Sequence, residues 1–216
     1  MSEPADVIAT RTAYDKVAVD YELLLRDELA EKPVDRAMLG IFAEQIAAAG
    51  GGPVADLGCG PGRVTAHLAG LGVDAFGVDL SPGMVEVARA QHPELRFDVG
   101  SMAALEIQDA SLAGVVAWYS IIHTPPERQA GVFAEFARVL RPGGWLLLAF
   151  QVGDDVVHLQ HAYGHDIDLH TRRQSPDRIR SLLEDAGFAE FVRLVREPVA
   201  PEKSAQAYVL ASLSHT

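Results

Sequence analysis

The stretch VADLGCGPG, residues 54–62, places three glycines directly after a short apolar run. Residues 53–57 are predicted to form a strand, and residues 62–69 show the apolar spacing of a helix. Glycines at 58, 60 and 62 let the backbone turn sharply and approach a ligand with no Cβ in between. Such a turn is where an open α/β sheet binds its ligands. The glycines alone are equally compatible with a tight strand-to-helix turn that binds nothing.

Strand and helix patterns alternate through the rest of the chain. Further strands are predicted at residues 75–78, 95–99, 112–118, 145–151, 190–196 and 206–213, and further helices at 81–90, 127–140 and 175–187. Two helices are predicted between residues 11 and 45. Because no helix separates the last two strands, we expect them to be antiparallel to each other. The predicted fold class is α/β: a Rossmann-like, doubly wound sheet of seven mostly parallel strands with one antiparallel strand and N-terminal helices.

The composition limits the class of protein and its partners. A length of 216 residues favours a single domain. The formal net charge of -12, from 18 basic and 30 acidic residues, disfavours nucleic acid, because a duplex requires a basic face. The single cysteine, Cys59, excludes an internal disulfide and fits a reducing compartment. No apolar run approaches the ~18 residues of a membrane span. We therefore expect a cytoplasmic protein that binds neither nucleic acid nor a membrane.

Two acidic residues at predicted strand ends restrict the chemical class of the ligand. Asp79 ends the second strand, about 20 residues past the glycines, where such folds bind the two hydroxyls of a ribose. Asp56 ends the first strand, where a carboxylate repels a pyrophosphate but suits an ammonium or sulfonium charge. A dinucleotide turn has the spacing G-x-G-x-x-G, and here Arg63 stands at the third glycine. NAD and FAD are therefore disfavoured.

Six motifs occur in an order that is similar to a known family. They are YDKVAVDY (14–21), VADLGCGPG (54–62), GVDLSPGM (77–84), RFDVGSM (96–102), WYSIIHTPPE (118–127) and RVLRPGGWLLLAF (138–150). From about Tyr14 to the C-terminus, the sequence resembles the class I S-adenosylmethionine-dependent methyltransferases of the small single-domain type. It departs from their pattern at Ser101 and Gly114, where the family often has acidic residues.

The resemblance implies S-adenosylmethionine as cofactor and S-adenosylhomocysteine as product. It implies that Asp79 binds the ribose, that Met84 packs near the adenine, and that a backbone carbonyl near Tyr119 meets the methionine amine. Tyr21, and more weakly Tyr14, would contact the methionine carboxylate. The full set of cofactor-binding residues expected on this basis is Tyr14, Tyr21, Asp56, Gly58, Cys59, Gly60, Gly62, Asp79, Leu80, Met84, Ser101, Met102 and Tyr119.

His123 is the candidate catalytic base, because it follows the fourth predicted strand, near where the methyl group should point. A hydrogen-bonded wall residue is the alternative role for this histidine. Trp118 and Tyr119 are candidates for flat walls of an acceptor pocket, and they are equally compatible with the core.

Residues 152–174 are rich in histidine and aspartate. If their first part is helical, His158, His161 and His165 share one face, and such a cluster is able to bind a divalent metal. No H-E-x-x-H-type motif supports a metal, so a solvated polar face is the prediction and no metal site is expected. His170, Arg172 and Arg173 belong to the same segment.

The predicted function is methyl transfer to the oxygen or nitrogen of a small-molecule acceptor. The alternatives are a non-methylating enzyme or a sensor module that binds the same cofactor, and less favoured are protein or nucleic-acid methyltransferases. Within one domain, 1–216, we expect a helical lid or cap (1–50), a cofactor-binding core (53–151), an acceptor-side segment (152–174) and a C-terminal helix with strands (175–216). A monomer or a homodimer is expected.

Overall fold

The computed structural model describes residues 3–214. The helices are α1 (Ala5–Leu25), α2 (Glu28–Glu31), α3 (Pro33–Ala48), α4 (Arg63–Gly70), α5 (Pro82–Gln91), α6 (Pro126–Val139) and α7 (Pro176–Asp185). The strands are β1 (Val54–Leu57), β2 (Ala75–Asp79), β3 (Phe97–Val99), β4 (Leu112–Trp118), β5 (Leu140–Gln151), β6 (Val156–Ala162), β7 (His165–Arg172), β8 (Phe188–Arg196) and β9 (Gln206–Leu213). Residues 1, 2, 215 and 216 of the predicted domain division lie outside the described part.

Seven strands form one sheet in the order β3-β2-β1-β4-β5-β9-β8. The strands from β3 to β5 run parallel, whereas β9 is antiparallel to both β5 and β8. The predicted Rossmann-like sheet with an antiparallel strand is therefore confirmed. The chain moves outward from β1 to β3 and then returns to β4 on the other side of β1. Ligands of such sheets bind outside the carboxyl ends of the strands at this reversal.

The hydrophobic core lies on both faces of the sheet, and α3 covers one of them. Its residues Met38, Phe42 and Ile46 pack against β1, β4 and β9. Gly114 in β4 makes room for this helix, because a Cβ at that position would lie 2.6 Å from Ile46 Cδ1 and 2.7 Å from Phe42 Cζ. The glycine that departs from the family pattern therefore serves the packing of the fold.

The segment predicted as partly helical is a two-stranded hairpin, β6–β7, outside the main sheet. Helical spacing was the wrong period here: exposure alternates along both strands, with Leu169 buried and its neighbours in β7 exposed. Tyr163 and Gly164, both with positive φ, form the two-residue turn, as in a type I′ hairpin. His158, His161 and His165 therefore do not share a helix face.

The N-terminal region contains three helices, because the short α2 separates the two that were predicted. Within residues 3–214, no helix combines the length and the apolar character needed to cross a membrane. The cytoplasmic location and the monomeric or homodimeric state stay predictions.

Candidate functional site

A cavity lies above the carboxyl ends of β1, β2 and β4, beneath α1. It encloses about 980 Å³ not filled by atoms, open solvent included. The predicted site residues that line it are Tyr14, Tyr21, Gly58, Gly60, Asp79, Leu80, Met84, Ser101, Met102, Trp118, Tyr119 and His123. The sequence therefore located about half of the residues that line this cavity, although they span more than a hundred positions.

The glycine turn forms one wall of the cavity. Gly58, Gly60 and Gly62 have φ values of +74°, +53° and +88°, a backbone region that side chains with a Cβ rarely adopt. At Gly58 a Cβ would also lie 2.4 Å from the Cβ of Ser120. The Ser120 hydroxyl donates to the Leu57 carbonyl at 2.6 Å and ties the end of β4 to the turn. Bare backbone at this point is therefore a requirement of both conformation and space.

Asp79 is held at the cavity by backbone groups on two sides. One carboxylate oxygen accepts from the Gly60 amide at 2.7 Å, and the other accepts from the Ser81 amide at 2.8 Å. Burial raises its pKa to about 6, although these two hydrogen bonds favour the charged form. The carboxylate keeps free lone pairs and lines the cavity. It is therefore oriented before any ligand arrives.

Asp56 does not reach the cavity. Its side chain is fully buried in β1, and one carboxylate oxygen accepts from the Thr65 hydroxyl of α4 at 2.7 Å. Burial raises its pKa to about 7, and the nearby Asp79 charge adds to the shift. The second oxygen, Oδ1, is buried and lacks a hydrogen-bond partner among the described residues. Asp56 is therefore absent from the cavity lining, where its predicted direct contact with a cofactor would require it.

Cys59 and Gly62 also lie behind the turn rather than on the cavity. The Cys59 side chain is buried with Val85, Ala88 and Phe97, and burial raises its thiol pKa well above the usual range. A Cβ at Gly62 would lie 2.7 Å from Phe97 Cζ. Both residues serve the packing that holds the turn in place, and a reactive thiol is disfavoured.

Tyr14 and His123 meet across the cavity from opposite parts of the chain. The Tyr14 hydroxyl lies 2.9 Å from His123 Nε2, and His123 Nδ1 lies 3.3 Å from the carbonyl oxygen of His170. Because a carbonyl only accepts, Nδ1 carries the proton and Nε2 accepts from Tyr14. Burial lowers the pKa of His123 to about 4, so the imidazole is neutral at pH 7. The pair forms a hydrogen-bonded chain that ends at the cavity.

The backbone at Tyr119 is left-handed, with a φ of +55°. This conformation is rare for a bulky residue and is typical of functional sites. It turns the chain sharply at the end of β4, so that Trp118, Tyr119 and His123 all line the cavity. Trp118 packs edge-on against Tyr119 with ring centroids 5.9 Å apart. The predicted aromatic wall is therefore present at the cavity.

The first half of α1 supplies lining residues that the sequence analysis did not include. Arg128 of α6 forms an ion pair with Asp6 at the mouth of the cavity. Arg11 donates to the Leu80 carbonyl at 3.3 Å and pairs with Glu3. The other lining residues not named in advance are Val7, Thr10, Ser81, Gly100, Ala103, Ser120, Thr124 and Val132. Extending the helical face of Tyr14 by one and two turns toward the N-terminus would have found Arg11, Thr10 and Val7.

Residues 54–144 match a family model described as a methyltransferase domain. The chain is 32% identical over 189 residues to the O-methyltransferase cnsE of Penicillium expansum, covering 82% of this chain and 66% of that protein. It is 33% identical over 147 residues to the demethylmenaquinone methyltransferase of Beutenbergia cavernae, covering 68% and 58%. It is 34% identical over 161 residues to the carboxy-S-adenosyl-L-methionine synthase of Chromohalobacter salexigens, covering 70% and 58%. The chain thus spans about three fifths to two thirds of the length of these relatives.

Solved structures share the fold over nearly the whole chain. Magnesium protoporphyrin IX methyltransferase from Synechocystis PCC 6803, with bound S-adenosylmethionine, superposes with a TM-score of 0.73 at 19% identity, covering 99% of this chain and 100% of that chain. The 1,6-didemethyltoxoflavin-N1-methyltransferase of Burkholderia thailandensis superposes with a TM-score of 0.69 at 20% identity, covering 99% and 93%.

Proposed function

The chain belongs to the class I S-adenosylmethionine-dependent methyltransferases, and from that premise we propose that it methylates an oxygen or nitrogen atom of a small-molecule acceptor. The observation that carries the proposal is the Asp79 carboxylate, held at the cavity by the amide of Gly60. The names of the Penicillium O-methyltransferase and of the toxoflavin N1-methyltransferase support a small acceptor and the two candidate atoms.

The pocket fits a cationic nucleoside ligand. Asp79 lines the cavity and Asp56 lies beneath the glycine turn, and burial raises the pKa of both carboxyl groups. A nearby positive charge favours their ionised forms, whereas a pyrophosphate would oppose them. Gly58 leaves the wall without a Cβ, so a ligand is able to lie directly on the backbone. S-adenosylmethionine meets these requirements, since it carries a sulfonium and an ammonium group.

The lining residues divide between the two ends of such a ligand. We assign the ribose hydroxyls to Asp79 and the adenine to the side formed by Leu80, Met84, Ser101 and Met102. Ser101 replaces the acidic residue of the family with a hydroxyl, which is able to hydrogen-bond a ring nitrogen or an amino group. We assign the methionine end to Gly58, Tyr21 and the backbone of Tyr119, which also line the cavity.

The chemistry that the bound cofactor supplies is an electrophilic methyl group on a sulfonium. The protein's task is to align the acceptor behind that methyl group and to exclude water. Alignment alone lowers the activation barrier by roughly 7–11 kcal/mol in favourable systems. Methyl transfer would join the acceptor atom to the methyl carbon and leave the electrons of the broken carbon–sulfur bond on sulfur. The acceptor must also lose a proton.

Tyr14 and His123 provide a route for that proton. The Tyr14 oxygen has a lone pair free for an acceptor O–H or N–H, while its own proton points to His123 Nε2. As the acceptor proton moves to Tyr14, the Tyr14 proton moves to His123, and the imidazolium then donates to the His170 carbonyl and to Tyr14. We therefore propose His123 as the proton acceptor, acting through Tyr14.

The cover over the cavity is proposed to be α1 rather than all of residues 1–50. Helix α3 packs on the sheet and belongs to the core, whereas α1 lies over the cavity. The hairpin β6–β7 meets α1, since Tyr163 packs on Tyr21 with ring centroids 4.9 Å apart. This contact with α1 supports the proposal that residues 152–174 lie on the acceptor side.

Calorimetric titration with S-adenosylhomocysteine tests the proposal, with one site per chain expected. At a hundredfold excess over its dissociation constant, the ligand should raise the free energy of unfolding by about 2.7 kcal/mol. Incubation with S-adenosylmethionine and a panel of phenols, hydroxybenzoates and amines should then release S-adenosylhomocysteine with at least one acceptor. Absence of both heat and thermal stabilisation would refute the cofactor. Cofactor consumption without S-adenosylhomocysteine would favour a non-methylating enzyme, the activity in the name of the Chromohalobacter relative.

A further inference from the structure

Three metal-ligating side chains meet on the outer face of the hairpin β6–β7. The antiparallel register places His158 directly opposite His170, and Asp168 lies two residues before His170 on the same face. One ligand atom from each of the three residues lies within 4.8 Å of the others. These three residues come together only because the two strands pair, and a helix over the same segment would not group them.

The three side chains lie close to one another on the hairpin surface. The His158 and His170 rings are stacked, with centroids 4.3 Å apart and planes 5° from parallel. His158 Nε2 lies 2.7 Å from a carboxylate oxygen of Asp168. All three side chains are exposed, so the stack is not forced by the core. Two imidazoles and one carboxylate, open to water on one side, can leave coordination positions for solvent.

We propose that His158, Asp168 and His170 bind one divalent transition-metal ion, for which Zn²⁺ is the best match. Imidazole nitrogen and carboxylate oxygen are ligands that Zn²⁺ takes, whereas Mg²⁺ and Ca²⁺ prefer oxygen alone. Water would complete the coordination shell. This site differs from the histidine cluster considered on the sequence, because it omits His161 and His165.

Those two histidines have other partners. His161 Nδ1 lies 3.0 Å from a carboxylate oxygen of Asp166, and His165 Nε2 lies 2.7 Å from that of Asp20 in α1. Across residues 3–214, no second group of three such side chains comes as close together. The proposal therefore requires a stoichiometry of one ion per chain.

The site is placed where it can stiffen the wall of the cavity. The carbonyl oxygen of His170 is the partner of His123 Nδ1, at 3.3 Å. Lys16 of α1 donates to the carbonyl of Asp166 in the same hairpin at 2.6 Å. A two-stranded hairpin is marginally stable by itself, and an ion that joins its facing strands holds them in register. We infer a structural role, with no metal-bound group in the reaction.

Calorimetry with ZnCl₂ tests the site on full-length protein that carries no histidine tag and has been freed of metal. We expect one ion per chain, with binding weakened at least about tenfold in His158→Gln and in Asp168→Asn, because loss of a direct ligand costs at least as much as loss of an outer-shell partner. His161→Gln is the matched control, since it changes an exposed histidine of the same hairpin outside the triad, and its affinity should stay within about twofold. No S-adenosyl compound is needed, so this result is independent of the proposed function.

Hydrogen exchange provides a second measurement. In wild type and in His161→Gln, ZnCl₂ should slow exchange of the amides in β6 and β7, and this slowing should be lost in His158→Gln. The proposal is overturned if wild type binds no Zn²⁺, if His158→Gln binds as tightly as wild type, or if His161→Gln loses binding equally. It is also overturned if bound Zn²⁺ leaves the hairpin amides unprotected.

Discussion

Asp56 is the second-last residue of β1 and Asp79 is the last residue of the neighbouring β2, yet only Asp79 lines the cavity. The difference lies in the position of the two residues along the strands. Asp56 pairs with Gly77, two residues before Asp79, and accepts from Thr65 beneath the turn, whereas Asp79 lies farther toward the carboxyl edge and accepts from the amides of Gly60 and Ser81. The same residue type therefore serves as internal support at one strand end and as a ligand-facing group at the next.

The first residue-scale prediction concerns Asp79→Asn. The asparagine amide has one acceptor oxygen, so it can replace only one of the two carboxylate oxygens that accept from the amides of Gly60 and Ser81. It also offers no charge to the ribose hydroxyls. Affinity for S-adenosylhomocysteine should therefore fall roughly 10- to 1000-fold. Calorimetry measures this. Asp98→Asn is the control, because Asp98 is an exposed aspartate of the adjacent strand, and it should bind as wild type does. Equal affinity in folded Asp79→Asn would place the cofactor elsewhere.

A second prediction at the residue scale is that Tyr14→Phe slows the reaction, because it removes the hydroxyl that lies 2.9 Å from His123 Nε2. With the acceptor found in the panel, kcat should fall on the order of 10- to 100-fold because the proton route is interrupted. The dissociation constant of S-adenosylhomocysteine should change less than about threefold. Tyr163→Phe, at a ring that contacts Tyr21 instead, should retain activity. A large loss of cofactor affinity with unchanged kcat would instead make Tyr14 a cofactor contact.

At the scale of elements, α1 is attached to the rest of the molecule separately from the core. Val17 and Ala18 form a small apolar cluster with Met84, apart from the two clusters that cover the sheet. Asp15 fastens the helix to the start of α5, where its carboxylate accepts from the Ser81 hydroxyl at 2.6 Å and from the Gly83 amide at 2.9 Å. Such an element can open while the sheet stays folded.

We predict that α1 is a lid, since product must leave after each turnover. Hydrogen exchange in α1 should slow when S-adenosylhomocysteine binds, with little change in α3. Asp15→Ala should weaken binding of the same ligand roughly tenfold by loosening the closed position. Val19→Ala, at an exposed side chain of the same helix, should have no effect. Equal protection of α1 with and without ligand would make it a permanently docked helix.

At the scale of the whole molecule, a buried polar contact joins the two ends of the chain. The Tyr208 hydroxyl of β9 donates to Asp35 of α3 at 2.6 Å and accepts from Arg196 of β8 at 3.0 Å. Tyr208 is fully buried, and burial raises the pKa of Asp35. The antiparallel strands and the N-terminal helices are thereby held as one unit.

Tyr208→Phe should therefore destabilise the protein by about 1–3 kcal/mol, because the buried Asp35 loses its donor. Urea unfolding measures the change in free energy. Tyr163→Phe again serves as the control, being a tyrosine of the hairpin turn that is partly exposed, and should shift stability by less than about 0.5 kcal/mol. A similar stability for Tyr208→Phe and wild type would show that the contact does not couple the two ends.

The fold and about half of the cavity lining were predictable because their signals are local. The strand over residues 112–118 was predicted with the bounds it has, and the helix starts at Ser81-Pro82 and Ser175-Pro176 depend on residues next to each other. The hairpin was missed because a histidine-rich segment gives a weak apolar pattern, although the Tyr163-Gly164 turn carried a usable signal.

The sequence by itself determined the alternation of strands and helices, the glycine turn and the acidic strand end, since each is a property of contiguous residues. Only the tertiary structure decided which aspartate faces the cavity, that Tyr14 meets His123, and that His158 meets His170. Those contacts depend on strand register and on the packing of elements far apart in the chain. A shift of one residue in register reverses every side chain of a strand, so local pattern alone cannot specify them.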